Sequence, residues 1–129
     1  MTDPVSALIA SKGWLVADGA TGTNLFGRGL ETGYPPELWS VERPEDILWL
    51  HDSFLTAGSD LVLTNSFGGT SFRLKLHDAQ DRVGELNRAA AKLARQAVVA
   101  HIAHTGKQAL VAGSIGPTGR SEEHTSELQ

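Results

Sequence analysis

The chain contains no cysteine. Disulfides and thiolate metal sites are therefore excluded within it. Aromatic residues are sparse, at 6%, and there is a single Met. No apolar run approaches the roughly 20 residues that cross a bilayer as a helix, so no membrane partner is expected. The N-terminus, Met1-Thr2-Asp3-Pro4, lacks the basic region and long apolar segment of a secretory signal. A cytoplasmic location is the expectation. An excess of positive charge is missing too. Eleven Lys and Arg stand against 15 Asp and Glu, for a formal charge of −4. The cations are scattered, which leaves no footprint for nucleic acid. What is present is 40% hydrophobic and 20% charged residues over 129 positions, the make-up of one packed, soluble domain.

The last ten residues break from what precedes them. Arg120-Ser121-Glu122-Glu123-His124-Thr125-Ser126-Glu127-Leu128-Gln129 has almost no apolar content and no periodicity. The string matches a translated short-read sequencing adapter, so residues 120–129 are expected to be an artefactual tail and residues 1–119 the protein's own. Such additions are set aside in fold reasoning. The tail carries one Arg and three Glu, so the formal charge of residues 1–119 is −2. Glu122, Glu123 and His124 are accordingly not read as a metal or acid–base cluster.

Three short apolar runs set the architecture. Trp14 to Ala17, Leu61 to Leu63 and Ala109 to Ala112 are apolar throughout rather than alternating. That pattern predicts strands buried on both faces and paired in parallel. Val5, Leu8 and Ile9 allow a short leading helix. Residues 19–43 form a long, glycine-rich connection containing Pro35-Pro36; connections of that length are often functional. A helix is predicted from Pro44, with Glu45 and Asp46 in its first turn and Gly58 as its C-terminal cap. Ile47, Leu50, Phe54 and Leu55 share one face, and His51 near that face reads as a packed or surface residue. A second helix is predicted from about Asp81 to His104, with Val83, Leu86, Ala90, Leu93, Ala97 and Val98 on its buried stripe. The order β, helix, β, helix, β is that of an α/β fold.

Each strand ends in small polar residues: Asp18-Gly19-Ala20-Thr21-Gly22-Thr23, then Thr64-Asn65-Ser66-Phe67-Gly68-Gly69, then Gly113-Ser114-Ile115-Gly116. In α/β folds that edge of the sheet holds the active site. Phosphate chemistry is a poor match. Gly19 to Thr23 is neither the three-glycine dinucleotide fingerprint nor a loop ending in the P-loop lysine. Ser66 and Ser114 lack a nucleophile-elbow sequence. An amino-acid ligand fits better. An ionised Asp18 accepts from an ammonium group, and glycine-loop N–H groups hold a carboxylate.

The block Asp18-Gly19-Ala20-Thr21-Gly22-Thr23 resembles the N-terminal signature of the homocysteine S-methyltransferases. That family includes betaine–homocysteine methyltransferase and the homocysteine-binding module of cobalamin-dependent methionine synthase. Arg43-Pro44-Glu45-Asp46-Ile47 with His51 and Ala57-Gly58-Ser59-Asp60, Leu63-Thr64-Asn65-Ser66-Phe67, and Val111 to Thr118 agree in order and spacing. Glu85-Leu86-Asn87 fits as well. The resemblance covers residues 14–119. It implies a (β/α)8 TIM barrel in which zinc, held by three cysteines, binds the homocysteine sulfur. The thiolate then takes a methyl group from betaine, S-methylmethionine or a methyl-corrinoid, forming methionine. By the same resemblance, Asp18 and Gly19 contact the amino-acid end of homocysteine. Thr64, Asn65 and Phe67 line the pocket and Ser114 completes its wall. Local capping at strand ends is the competing role for Thr64, Asn65 and Ser114.

The chain also departs from the family. The family's cysteines lie in the later part of the barrel, and this chain has none. It supplies about three of eight β/α units, whereas a barrel takes roughly 250 residues. The betaine-using branch carries an aromatic residue just after the position of Phe67, where this chain has Gly68. The expectation is the N-terminal portion of a homocysteine S-methyltransferase domain, truncated, inactive alone, without catalytic residues or a metal site of its own. The alternative is a non-enzymatic small α/β module that binds an amino acid.

Overall fold

The computed structural model describes residues 3–117 of the chain. The adapter-like segment 120–129 lies outside the described residues. Helix α1, Pro4–Lys12, begins where the Asp3 carboxylate accepts the Ser6 N–H at 2.8 Å and ends at Gly13, φ 88°. Pairing of an acidic cap with proline in the first turn starts a helix at little cost. None of its residues is buried. It is tethered instead by the Lys12 ammonium, which pairs with Asp60.

Helix α4, Pro44–Ala57, and helix α6, Val83–Thr105, form the main layer. Both end at a left-handed glycine, Gly58 at φ 115° and Gly106 at φ 73°, a conformation that carries a steric penalty for other residues. The second helix starts two residues later than expected, because Gln80–Arg82 winds as a 3-10 turn ahead of it. Its stripe of Leu86, Ala90, Leu93, Ala94, Ala97 and Val98 is buried, while Val83 is only partly so. Leu55 of α4, Val62, Ala109 and the small residues of α6 make one core cluster. The alanines let the helix approach the sheet closely.

The sheet is smaller than the apolar runs suggest. Strands β1, Leu61–Leu63, and β2, Leu110–Ala112, pair in parallel with Leu61 opposite Leu110, Val62 opposite Val111 and Leu63 opposite Ala112. The run from Trp14 to Ala17 is not a full strand. It joins through one parallel bridge, Ala17 to Leu61. The Val16 carbonyl accepts from Asp60 N–H at 2.7 Å, and Asp18 N–H donates to Leu61 O at 3.1 Å. Burial on both faces is also corrected. Val62 is fully buried under the helices, but Val16 and Leu63 are 42% and 41% exposed. Among the described residues, helices cover one face and the other stays open. The observed class is α/β, mostly helical, with a small parallel sheet; these residues do not close a barrel.

The long connection folds back on the helices. It contains α2, Gly22–Phe26, a 3-10 turn Pro36–Leu38 and α3, Trp39–Glu42. Leu25, Leu30 and Trp39 pack against Ile47, Leu50 and Leu93. Asp46, 2% exposed, holds the connection to α4. Arg28 Nε donates to its Oδ1 at 2.6 Å, and Arg43 Nε lies 2.7 Å from its Oδ2 as an ion pair. The short helix α5, Ser71–Leu74, follows β1 and is capped by Thr70, whose hydroxyl accepts Arg73 N–H at 3.2 Å. No helix among the described residues is long and apolar enough to cross a membrane.

Candidate functional site

The C-terminal ends of the extended segments open on a cleft of about 480 Å³. Asp18, Gly19, Thr64, Asn65, Phe67 and Ser114 all line it. Parallel pairing brings them together, since every parallel strand delivers its last residue to the same edge. Asp18 sits at the end of the bridged segment. Its Oδ2 accepts Leu63 N–H at 3.1 Å, while its Oδ1 is buried without a partner. Burial raises its pKa above the usual carboxylate range, against the lowering effect of the Leu63 bond. A carboxylate oxygen left unpaired beside a cleft is poised to accept from a ligand cation. Gly19 follows with its backbone against the Phe54 ring, where a Cβ would stand 3.3 Å from the ring carbon.

Thr64 and Ser66 are engaged within the protein. Their hydroxyls share a 2.6 Å hydrogen bond, Ser66 Oγ donates to Ser114 O at 2.8 Å, and Thr64 Oγ1 accepts Ser114 N–H at 3.0 Å. This hydroxyl pair clamps the backbone after β2 to that after β1. Asn65 does similar work toward the long connection. Its Nδ2 donates to Pro36 O at 2.8 Å and Ser40 Oγ at 3.1 Å. Thr64 and Asn65 thus build the cleft through structural bonds. Phe67 stays 54% exposed and Ser114 is partly buried.

Other lining residues were not singled out by the sequence. Glu37, on the turn Pro36–Leu38, is a buried carboxylate whose Oε2 accepts Gly68 N–H at 3.0 Å. Tyr34 lines the cleft and donates its hydroxyl to Glu42 Oε1 at 2.6 Å; that bond raises the phenol's pKa. Arg73 of α5 and His77 of the 3-10 turn after it also line the cleft. The available signal for Glu37 was a carboxylate set between Pro35-Pro36 and Leu38-Trp39, a local context that favours apolar packing. His51 does not line the cleft. It is 1% exposed, neither ring nitrogen has a partner, and burial pushes its pKa down to about 4. A wider depression of about 1270 Å³ lies at the opposite ends of the strands, between Lys12, Asp60 and His104. Its carboxylate Asp60 is already paired with Lys12 and with Val16 N–H.

Among the described residues, no group of three His, Cys, Asp or Glu is placed to hold a metal. With no cysteine in the chain, the thiolate-held zinc implied by the resemblance has no ligand set here.

Comparison with known proteins agrees with this arrangement. The model of the family described as homocysteine S-methyltransferase matches residues 15–128. The metallated form of the homocysteine methyltransferase MmuM from Escherichia coli is 33% identical, with a TM-score of 0.77. That alignment covers 97% of this chain and 45% of MmuM. The oxidised form of the same enzyme aligns at 32% identity and TM-score 0.78, over 98% of this chain and 45% of that one. The chain thus spans less than half the length of the solved relatives it matches. A self-contained amino-acid-binding module is not favoured by such matches. With a family match over most of its length and a cleft built by the same sequence blocks, the chain belongs to the homocysteine S-methyltransferase family.

Proposed function

We propose that this chain forms the homocysteine-binding wall of a homocysteine S-methyltransferase whose complete domain is a (β/α)8 barrel. The observation that carries the reading is Asp18. Its unpartnered, buried Oδ1 lines the cleft at the strand ends, where it can accept from the homocysteine ammonium. Gly19, whose missing side chain makes room for the Phe54 ring, brings its backbone to the cleft, and Ser114, held by the Thr64–Ser66 pair, forms the facing wall. Thr64, Asn65 and Phe67 shape the pocket.

In the reaction, the homocysteine thiol loses its proton and the sulfur attacks the methyl carbon of the donor. A new carbon–sulfur bond forms as the donor–methyl bond breaks. The products are methionine and the demethylated donor, which keeps the bonding electron pair. Betaine, S-methylmethionine and a methyl-corrinoid are the donor classes in view. Zinc in the intact enzyme favours the thiolate, but this chain's residues do not fit that metal. Their part is binding and orienting the substrate, so the chain alone is expected to be inactive.

A cytoplasmic location belongs to the same proposal. So does the boundary between residues 1–119 and the tail 120–129. The family match runs to residue 128, so that boundary rests on the tail's composition.

Calorimetry with homocysteine and the Asp18→Asn variant tests the reading. Homocysteine should bind the 129-residue chain in the millimolar range. The variant should lose about tenfold or more, the worth of one charge-assisted hydrogen bond. Equal affinity for both proteins would overturn the role of Asp18. Micromolar binding by the chain alone would mark a self-contained module.

A further inference from the structure

The block Arg43 to Ile47 lies inside the family match, yet none of its residues lines the cleft. Asp46 is 2% exposed and is met by two guanidiniums, Arg28 Nε at 2.6 Å and Arg43 Nε at 2.7 Å. Each guanidinium is also stacked on an indole. Arg28 lies 4.2 Å from the centroid of the Trp49 ring, and Arg43 lies 4.3 Å from that of Trp39. A guanidinium paired through its edge and stacked on its face is fixed in both position and plane. Gly29, at φ 109°, turns the chain beside this cluster, and a Cβ there would stand 3.3 Å from Arg43 Nη1.

Arg28 closes the segment that begins at Asp18. Local hydrogen bonds stiffen that segment. Asn24 Nδ2 donates to Ala20 O at 2.6 Å, Leu25 N–H to Thr21 O at 3.0 Å and Arg28 N–H to Leu25 O at 2.9 Å. The segment runs antiparallel along one face of α4. Gly19 meets the Phe54 ring, Leu25 packs in one cluster with Leu50, and Arg28 covers Trp49 and reaches Asp46. Asp46, Leu50 and Phe54 follow each other at i, i+4 spacing, which aligns them on α4. At the Gly19 end the contact with α4 is an aromatic ring. The charged anchor is at the Arg28 end.

We propose that Arg28, seated between Asp46 and Trp49, is a positioning residue for the homocysteine site, which sets the Asp18–Gly19 turn through the segment Ala20 to Leu25. Arg28 touches no substrate; it acts through Asp18. The inference rests on the reading of Asp18 above and adds the device that aims it. Without the anchor the segment shifts along α4, fewer chains hold Asp18 toward the ligand, and affinity falls by that same fraction.

The test is a double-mutant cycle read by NMR titration of the 15N-labelled 129-residue chain with homocysteine. Arg28→Ala should weaken binding about tenfold, as Asp18→Asn does. In the double variant the loss should stay at about tenfold rather than reach roughly a hundredfold, because one residue acts through the other. Arg28→Lys, which restores a tether to Asp46, should bind more tightly than Arg28→Ala. In the ligand-free Arg28→Ala chain the Leu63 amide, which donates to Asp18, should shift, while the Asp60 amide stays in place. If Arg28→Ala yields the collapsed spectrum of an unfolded chain, Asp46→Asn, of the same shape, takes its place in the cycle with the same expected values. Unchanged homocysteine affinity in the anchor variant, or losses that multiply in the double variant, overturn the inference and leave the reading of Asp18 standing. No effect of Asp18→Asn, or no binding of homocysteine to the wild-type chain, overturns both.

Discussion

The Glu37 carboxylate lies against Gly68, 31 residues further along the chain, and accepts its N–H at 3.0 Å. No side chain at position 68 is compatible with this contact without movement, because a Cβ there would meet all three carboxylate atoms within 3.1 Å. Gly68→Ala should therefore push the carboxylate aside and destabilise the chain by about 1–2 kcal/mol, the range of a small overpacking. Urea unfolding of the variant measures this. Unchanged stability would mean that Glu37 shifts freely and is not held where the cleft needs it.

Gly116 makes a closer contact. A Cβ at that position would collide with the Phe67 carbonyl, which is backbone and cannot swing away. Gly113, three residues earlier, has open space around its Cβ position. Gly116→Ala should cost about 1–3 kcal/mol and displace the Phe67 loop. Gly113→Ala should change stability by less than about 1 kcal/mol. Denaturant midpoints of the two variants make a matched pair. A similar cost for both would show that the loops after β1 and β2 are not docked as described.

His51 predicts a pH dependence. Burial holds its folded-state pKa at about 4, below the ordinary value of 6.5. Between those values the unfolded chain binds the proton and the folded chain does not. Stability therefore falls as pH drops from about 6.5 to about 4 and levels off below, by roughly 3 kcal/mol in all. His51→Leu removes the group, so the difference in unfolding free energy between wild type and variant should vary across that window. A difference that stays flat from pH 7 to pH 4 would show that His51 is not buried neutral.

The open face of the sheet predicts self-association. Val16 and Leu63 are exposed there, as is Ile115 after β2, and the outer edge of β2 is unpaired among the described residues. Unpaired edges and apolar patches promote contact between chains. Sedimentation should show mass rising with concentration at micromolar levels. A monodisperse monomer with one cooperative unfolding transition would contradict this.

The helices were legible because their signals are local. Pro44, Gly58 and Gly106 act within one turn, and the stripe from Leu86 to Val98 repeats at helical spacing. The run Trp14 to Ala17 was legible as extended chain but not as a single bridge, since apolar content does not report how many partners a strand has. The same limit explains the open face at Leu63. The shared edge carrying Asp18, Thr64 and Ser114 followed from three similar strand ends. Glu37 and Arg73 did not, because their place depends on contacts across the fold, such as Glu37 with Gly68. The work of Thr64 and Asn65 was also hidden. Their hydrogen bonds to Ser114 and Pro36 are long-range, and only the fold shows that these groups hold the cleft together.

The account rests most directly on Asp18 meeting the ammonium of homocysteine. Backbone NMR of the chain with millimolar homocysteine, repeated with its des-amino analogue 4-mercaptobutanoate, isolates that contact. Homocysteine should shift the amides of Asp18, Gly19, Leu63 and Ser114, and the analogue, which lacks only the ammonium, should leave Asp18 unmoved. Equal shifts from both compounds, or shifts confined to the opposite depression at Lys12 and Asp60, would contradict the account.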